Sequence, residues 1–306
     1  MAVWLGFSVV VAGLLFLDLG VLNRRSHVLS FKEAMSWSLG LIALALLFGG
    51  FLWWKEGSQH ALEYYTGYLI ELSLSVDNLF VFILIFSYFG VPAEAQPKVL
   101  KWGILGAIVM RFIMILLGAL LLARFDWIIY VFGGILVLTG IKMLFQGDSR
   151  IELERNPVVR LARRILPFAD SYDGTSFTTR TSAGRRLATP LVLVLLVVEW
   201  SDLVFAIDSI PAIFAVTRDP FLVYSSNVFA ILGLRALFFV LAGMMDRFAY
   251  LKPGVALILV FVGGKMVVSG WLHVSTVVSL AVILGTLTGA VGLSLARSAR
   301  EQRAAA

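Results

Sequence analysis

Nine runs of about 20 mostly apolar residues divide this chain, and they leave little room for any fold other than a bundle of membrane-spanning helices. Inside a bilayer the backbone polar groups must bond internally, which a helix achieves by itself. Charged residues make up only 14% of the chain, against about 25% in soluble domains. We therefore predict an all-α polytopic membrane protein. Its nine predicted spans are 3–22, 36–54, 64–89, 99–123, 127–145, 188–216, 221–245, 253–271 and 275–296.

Basic residues between the spans predict the orientation of the chain in the membrane. With the amino terminus outside, 18 Lys or Arg fall in inner segments, whereas only Lys55, Arg124 and Arg218 fall in outer ones. The first run has no basic residue before it and contains Asp18, so we expect a retained span, not a signal peptide. The carboxyl terminus is then cytoplasmic. The net charge of +6 mostly reflects this topology, and no basic, aromatic-interleaved patch predicts a nucleic-acid partner.

Carboxylates inside the third and sixth spans are the strongest pointer to function. There are five of them: Glu71, Asp77, Glu199, Asp202 and Asp208. Each costs about 2.5–3.5 kcal/mol at the centre of a bilayer, so such groups usually have a functional role. Two deeply placed arginines, Arg111 and Arg235, balance part of the charge and leave about three negative charges. A site of this sign attracts cations and repels anions.

The two halves of the chain carry the same landmarks in the same order. Glu71-x5-Asp77-Asn78 matches Asp202-x5-Asp208-Ser209, and each pair is followed by an arginine and then by a Gly-x-Lys-Met sequence. Each unit contains three spans, an odd number, so the units predict inverted-topology repeats, which place binding sites near the midplane. Glycine pairs at 133–134 and 263–264 predict close helix packing. The predicted organisation is two helices in 1–60, a first repeat in 61–145, a cytoplasmic loop in 146–187, an inverted second repeat in 188–271, and a last helix with a basic tail in 272–306.

The loop at 146–187 is predicted to be a linker between the halves, with a short amphipathic helix around Val158–Ile165. Its arginines Arg160, Arg163 and Arg164 could rest on anionic lipid, and a solvated loop is an equal alternative. Membrane lipid is an expected partner in either case. The sequence makes no prediction of the oligomeric state.

Helix geometry limits how the acids can share an ion. Positions six apart, such as Glu71 and Asp77, differ by about 120° in direction, so both cannot reach one ion from a straight helix. One solution is unwinding near Asp77 and Asp208. Ser73, Ser75 and Asn78 can compete for backbone partners near Asp77, and Pro211 should kink or break the sixth span.

The other solution is a set of layers along the bundle. Asp77 and Asp208 would lie at the midplane, and Glu71 and the Glu199/Asp202 pair would form gates on opposite sides. We expect layers combined with local unwinding. Asn78 and Ser209 would add neutral oxygen ligands beside the two midplane acids.

The ligand chemistry predicts a hard metal ion as the transported substrate, with no resident cofactor. The chain has no cysteine, and His27, His60 and His273 fall near span ends, where we assign them no role. Carboxylate and amide oxygens suit Mn²⁺, Mg²⁺ or Ca²⁺. Asp18 is a weaker candidate near the end of its span. The alternative is that the acids and arginines form buried ion pairs that only hold helices together.

Three segments resemble a known family. They read IELSLSVDNLFVF at 70–82, VEWSDLVFAIDSIPAIF at 198–214 and NVFAILGLR at 227–235, and they are similar to the TerC/Alx family of integral membrane proteins. The resemblance implies a bacterial inner-membrane protein of the LysE-type transporter superfamily, associated with manganese export, metal homeostasis and, by name, tellurium resistance. The family's acidic motif maps onto Glu71, Asp77, Asn78, Glu199, Asp202, Asp208 and Ser209.

The resulting hypothesis is export of Mn²⁺ or a similar cation by alternating access. No nucleotide-binding motif is present, so a gradient, most plausibly of protons, would supply the energy. The rival hypothesis is a membrane scaffold that supports tellurium resistance or metal loading of secreted enzymes through membrane-protein partners. We predict no enzyme, because intramembrane hydrolysis needs a histidine-containing metal site or an activated nucleophile.

Overall fold

A computed structural model describes residues 2–16, 29–125, 127–145, 157–180, 184–243, 250–272 and 274–305, apart from a few side chains within these ranges. This part is almost entirely helical, as predicted. Its helices are α1 (Ala2–Leu15), α2 (Phe31–Glu56), α3 (Ser58–Tyr88), α4 (Gln96–Arg124), α5 (Ile128–Phe145), α6 (Pro157–Ile165), α7 (Pro190–Phe214), α8 (Pro220–Ala242), α9 (Leu251–Val267) and α10 (Thr276–Ala305). Two short antiparallel strands, β1 (Thr178–Arg180) and β2 (Arg186–Ala188), form a hairpin.

Seven of these helices are long and apolar enough to cross a membrane: α2, α3, α4, α5, α7, α8 and α10. The polytopic all-α fold is therefore confirmed. Helix α9 has 17 residues and ends at Val267, earlier than predicted. Helix α1 ends at Leu15, and the rest of its predicted span, with Asp18, falls outside the described residues. The count of nine spans stays a prediction.

Local sequence signals explain where the helices begin. Helix α2 starts with a capping box, in which the Glu33 amide donates to the Ser30 hydroxyl and the Ser30 amide donates to the Glu33 carboxylate at 2.9 Å. Helices α7 and α8 begin at Pro190 and Pro220. Proline is favoured at the first position of a helix because an N–H there has no acceptor within the helix, so proline loses no hydrogen bond.

The two acidic helices are continuous, so the predicted unwinding is wrong. Helix α3 passes through Asp77 without a break, and α7 passes through Asp208. The Ser73 hydroxyl donates to the carbonyl of Leu69 within the same helix, so it does not compete with the helical backbone. Pro211 lies in the last turn of α7, where its missing N–H removes a hydrogen bond close to the natural end of the helix.

Helix α8 lies at the centre of the bundle. In an apolar stretch of 18 residues of this helix, 83% are buried. Among the six helices of the two predicted repeats, the most extensive contacts join α5 to α9, α3 to α8, α3 to α7, α4 to α7 and α4 to α8. Exchanging α3 with α7, α4 with α8 and α5 with α9 leaves this set unchanged. A pseudo-two-fold relation would produce this pattern, although the inverted repeat itself stays a prediction.

Glycines bring α5 and α9 into backbone contact. A Cβ atom added at Gly133 would lie 2.8 Å from the Gly263 carbonyl oxygen, and one added at Gly263 would lie 2.7 Å from the Gly133 oxygen. These distances are too short for real Cβ contacts, so only glycine permits this approach. One member of each predicted glycine pair thus has the expected packing role, whereas Gly134 and Gly264 face open space.

Replacing Gly133 with alanine is expected to destabilise the protein by about 1–3 kcal/mol, because the α5 and α9 backbones would have to move apart. Gly134→Ala is the matched control one residue away, and we expect it to be neutral. Denaturation of the purified protein in detergent by sodium dodecyl sulfate measures both. Equal effects of the two substitutions would contradict the proposed contact.

The described part of the loop between the halves is folded onto the bundle. Helix α6 lies where the amphipathic helix was predicted. The Tyr172 hydroxyl donates to the carbonyl of Phe89 at 2.6 Å, and Lys98 Nζ donates to the carbonyl of Thr175 at 2.6 Å. Burial raises the pKa of Tyr172, which keeps its hydroxyl protonated as a donor. These contacts fix the described part of the loop to the turn between α3 and α4 and to the start of α4.

Candidate functional site

A buried arginine organises the polar interior of the bundle. Arg111 lies near the middle of α4, and its side chain is fully buried. Its guanidinium forms an ion pair with Glu71 of α3 and a second with Asp202 of α7, where Nη2 lies 3.1 Å from Oδ1. Both carboxylates are buried as well, with 0% and 2% exposure. One guanidinium thus serves two acids from different helices.

Two neutral side chains from α7 and α8 also contact the guanidinium. Arg111 Nη1 also lies 3.3 Å from the Ser209 hydroxyl of α7 and 3.3 Å from the Asn227 amide oxygen of α8. The Asn227 amide nitrogen donates to Glu71 at 3.0 Å. We call Glu71, Arg111, Asp202, Ser209 and Asn227 the Arg111 network. In it, oxygens from three helices converge on a single cation supplied by a fourth.

The Arg111 network carries more negative than positive charge. It contains two carboxylates and one guanidinium, so one negative charge remains when all three groups are ionised. Removing a charged side chain from water costs several kcal/mol. The hydrogen bonds made by each residue of the Arg111 network offset part of that cost. A buried site with this balance is suited to a mobile cation.

Glu199 lies beside the Arg111 network. It precedes Asp202 by one helical turn, and the two acids line a cavity of about 10 Å³ on the side of the network nearer α6. This is about the space that one water molecule needs. A Cβ atom at Gly106 of α4 would overlap the Glu199 carboxylate, so the glycine leaves room for that group. Apolar side chains such as Phe82 and Leu234 form most of the remaining wall.

Four other residues were predicted for the site: Asp77, Asn78, Asp208 and Arg235. Asp208 is partly buried and accepts a hydrogen bond from Thr139 of α5 at 3.1 Å. Asn78 is 2% exposed, and its amide nitrogen has no hydrogen-bond partner among the described residues. Arg235 is buried in α8. The side chain of Asp77 falls outside the described part.

The predicted layers are therefore wrong for one pair of acids. Glu71 and Asp202 were expected on opposite sides of a midplane site, but both contact the same guanidinium. The reason is that α3 and α4 both pack against α7, and the long Arg111 side chain reaches both acids, so the attraction of one cation brings the two carboxylates together. Sequence spacing within a single helix carries no information on this cross-helix contact.

No group of three His, Asp or Glu side chains with metal-binding geometry occurs among the described residues. Of the histidines, His60 has its Nδ1 3.1 Å from the carbonyl of Glu56, and His27 and His273 fall outside the described ranges. The Glu71 and Asp202 carboxylates, with the neutral oxygens beside them, are of the ligand type that Ca²⁺, Mg²⁺ and Mn²⁺ sites often use.

Sequence reasoning assigned no role to three residues of this region: Asn227, Thr139 and Gly106. Asn227 is an amide inside a predicted membrane span, and that signal alone could have marked it. Thr139 has a weaker signal, because threonine often bonds its own helix backbone. Nothing in the sequence separates Gly106 from the other 26 glycines, since its importance depends on a side chain of α7.

The fold and the buried network define a polytopic membrane protein with an ionic site in its interior. Comparison with known proteins agrees: the chain belongs to the integral membrane protein TerC family, whose model matches residues 56–302 and thus includes the whole Arg111 network. It is 52% identical over 295 residues to a Myxococcus xanthus membrane protein, STKORF319, covering 96% of this chain and 92% of that one.

Other relatives are similar over the same length. The chain is 50% identical over 293 residues to the Escherichia coli K12 protein named "Putative membrane-bound redox modulator Alx", covering 93% of this chain and 91% of the relative. A Rickettsia felis membrane protein is 41% identical over 294 residues, with 96% and 97% covered. No solved structure matches this chain.

Proposed function

We propose that this protein exports hard divalent cations, with Mn²⁺ the first to test, from the cytoplasm by alternating access. The observation that supports this function is the convergence of oxygens from Glu71, Asp202, Ser209 and Asn227 on a buried cation, Arg111. Carboxylate, hydroxyl and amide oxygens are the ligands that such metal ions prefer. Near the middle of a helix bundle, they have the position expected for a transport site.

In this mechanism Arg111 and the metal ion compete for the same oxygens. When no metal is bound, the guanidinium occupies the space between Glu71 and Asp202 and neutralises much of their charge. Binding of a divalent ion requires the guanidinium to withdraw, and return of the guanidinium helps to release the ion. Two arrangements of similar energy can thus alternate, and each is stabilised by one of the two cations.

The remaining acids have supporting roles in the proposal. Glu199, beside the cavity, lines the approach from the end of the bundle that carries α6. Asp77, Asn78 and Asp208 contribute to a second approach, and Arg235 balances charge. Protonation of a carboxylate lowers its affinity for metal, so a proton gradient can drive export in a chain that has no nucleotide-binding motif.

The name of the E. coli relative suggests a redox role, and the scaffold hypothesis suggests recruitment of partners. Thiol chemistry within this chain is excluded because it has no cysteine. A redox effect could instead follow from a changed concentration of manganese in the cell. Transport therefore gives the buried acids a role and can also account for a redox effect, whereas a scaffold gives these acids no role.

Purified full-length protein in liposomes tests the proposal. We expect it to move Mn²⁺ across the bilayer, more slowly Mg²⁺ or Ca²⁺, and to respond to the direction of an imposed pH gradient. Fluorescent indicators inside the liposomes report each ion, and protein-free liposomes provide the control. If none of these ions moves at either of two pH gradients, the transport proposal fails and a scaffold is favoured.

Replacing Gly106 with alanine should separate transport from stability. The new methyl group would displace the Glu199 carboxylate, whose flexible side chain can turn away at little cost in stability. We expect Mn²⁺ transport to fall by about tenfold, an effect typical of residues that position a ligand. Gly134→Ala, which meets open space, is the control. Unchanged transport in the Gly106 variant would remove Glu199 from the pathway.

A further inference from the structure

Helix α6 presents three different surfaces. Its residues Val159 and Ala162 are buried and belong to the same apolar core as Phe86 and Val91 of the bundle. This stripe holds the helix against the start of α7. Five other residues of the helix, 160, 161 and 163–165, are exposed. Its position is therefore set by the bundle, and its outward surfaces are available to the surroundings.

The second surface is apolar. Leu161 and Ile165 lie one turn apart and are 58% and 67% exposed. At about 100° per residue, they are directed about 120° away from the buried stripe. Two large apolar side chains on a nine-residue helix would be unfavourable in water, whereas the boundary of the acyl chains would bury them.

The third surface is basic. Arg160, Arg163 and Arg164 are all exposed, and their mean direction is about 120° from each of the other two stripes. An apolar flank beside a basic flank is the pattern of helices that lie in the plane of a membrane interface. Because Val159 and Ala162 share an apolar core with Val91, in the turn between α3 and α4, helix α6 lies at one end of the spanning bundle.

We propose that α6 is a binding site for anionic phospholipid headgroups in the leaflet on its side of the membrane, which the basic-residue pattern predicts to be cytoplasmic. Leu161 and Ile165 enter the acyl boundary, and the three arginines contact lipid phosphates. Arginine is well suited to this contact because its guanidinium can donate two parallel hydrogen bonds to one phosphate. The docked loop fixes α6 in place, so little ordering is needed when lipid binds.

Hydrogen exchange of the full-length protein in nanodiscs tests this proposal. We expect amides of residues 160–166 to exchange more slowly in phosphatidylglycerol than in phosphatidylcholine, by about fivefold for each arginine engaged. The double substitution Arg160→Gln/Arg163→Gln should abolish the difference between the two lipids. Leu161→Gln/Ile165→Gln should instead speed exchange in both. Unchanged exchange in α7 shows that each variant is folded.

The hairpin offers a matched control. Arg180 and Arg186 are exposed, lie opposite each other in the same loop, and carry the same charge as the pair removed from α6. Arg180→Gln/Arg186→Gln should keep the lipid difference in α6. Loss of the difference in this variant would show a diffuse charge effect and overturn the proposal. So would equal exchange of wild-type α6 in the two lipids, or equal slowing by inorganic phosphate in phosphatidylcholine nanodiscs.

Discussion

Replacing Arg111 with alanine is expected to lower the free energy of unfolding by about 3–5 kcal/mol, a large part of the stability of a typical protein. The substitution leaves Glu71 and Asp202 buried without the cation that both contact. It also removes a hydrogen-bond partner from Ser209 and from Asn227. Denaturation by sodium dodecyl sulfate in mixed micelles measures the loss.

Two further variants make this test specific. Arg160→Ala removes an exposed arginine from α6 and should change the free energy of unfolding by less than about 0.5 kcal/mol. Neutralising the acids as well, in the triple variant Glu71→Gln, Asp202→Asn and Arg111→Met, should recover a large part of the loss, because no buried charge is then left unpaired. If Arg111→Ala were as stable as wild type, the ion pairs would not be those of the native protein.

Replacing Asp202 with asparagine is expected to reduce Mn²⁺ transport by about 100-fold, since loss of a buried, hydrogen-bonded charge costs about 2–5 kcal/mol of binding free energy. The fold should tolerate this change better than Arg111→Ala. Glu71 and Arg111 would remain as a pair with no net charge. Asp202→Asn is therefore expected to lose transport with little loss of stability, which a purely structural ion pair would not predict.

The controls for this second prediction distinguish two locations of the site. Asp170→Asn changes an exposed acid of the loop and should leave the rate of Mn²⁺ uptake into liposomes unchanged. Asp208→Asn changes a partly buried acid six residues after Asp202 on the same helix, bonded to Thr139. Normal transport by Asp202→Asn together with loss in Asp208→Asn would move the ion site from the Arg111 network to Asp208.

The sequence predicted in outline which charged residues lie in the interior, because a charged side chain within an apolar span is costly unless it has a partner or a function. Glu71, Asp202, Ser209 and Arg111 were all assigned to the site from sequence, and the structure places these four residues in one cluster. The relation between them was not predictable. Spacing along one helix suggested gates on opposite sides, whereas the contact that the structure reveals depends on how three helices cross.

For the central loop and for the predicted helix interruptions, too, the sequence indicated local features but not the contacts between elements. The amphipathic pattern of α6 was evident from sequence, but docking of the loop onto the bundle depends on residues far away in sequence, such as Phe89, which accepts a hydrogen bond from Tyr172. Pro211 and the serines near Asp77 suggested interrupted helices. In the structure the Ser73 hydroxyl bonds within its own helix, and the proline falls three residues before a helix end, so neither interrupts a span.

By itself, the sequence determined that this chain is a bundle of apolar membrane helices, with acids and arginines inside, an amphipathic helix in its central loop and glycines at helix contacts. These properties follow from period, length and hydropathy, which act locally along the chain. Only the tertiary structure decided that Glu71 and Asp202 share Arg111, that Asn227 joins them, and that Gly106 makes room for Glu199. The reason is physical: a buried charge is stabilised by whichever opposite charge lies nearest in space, and that neighbour comes from another helix.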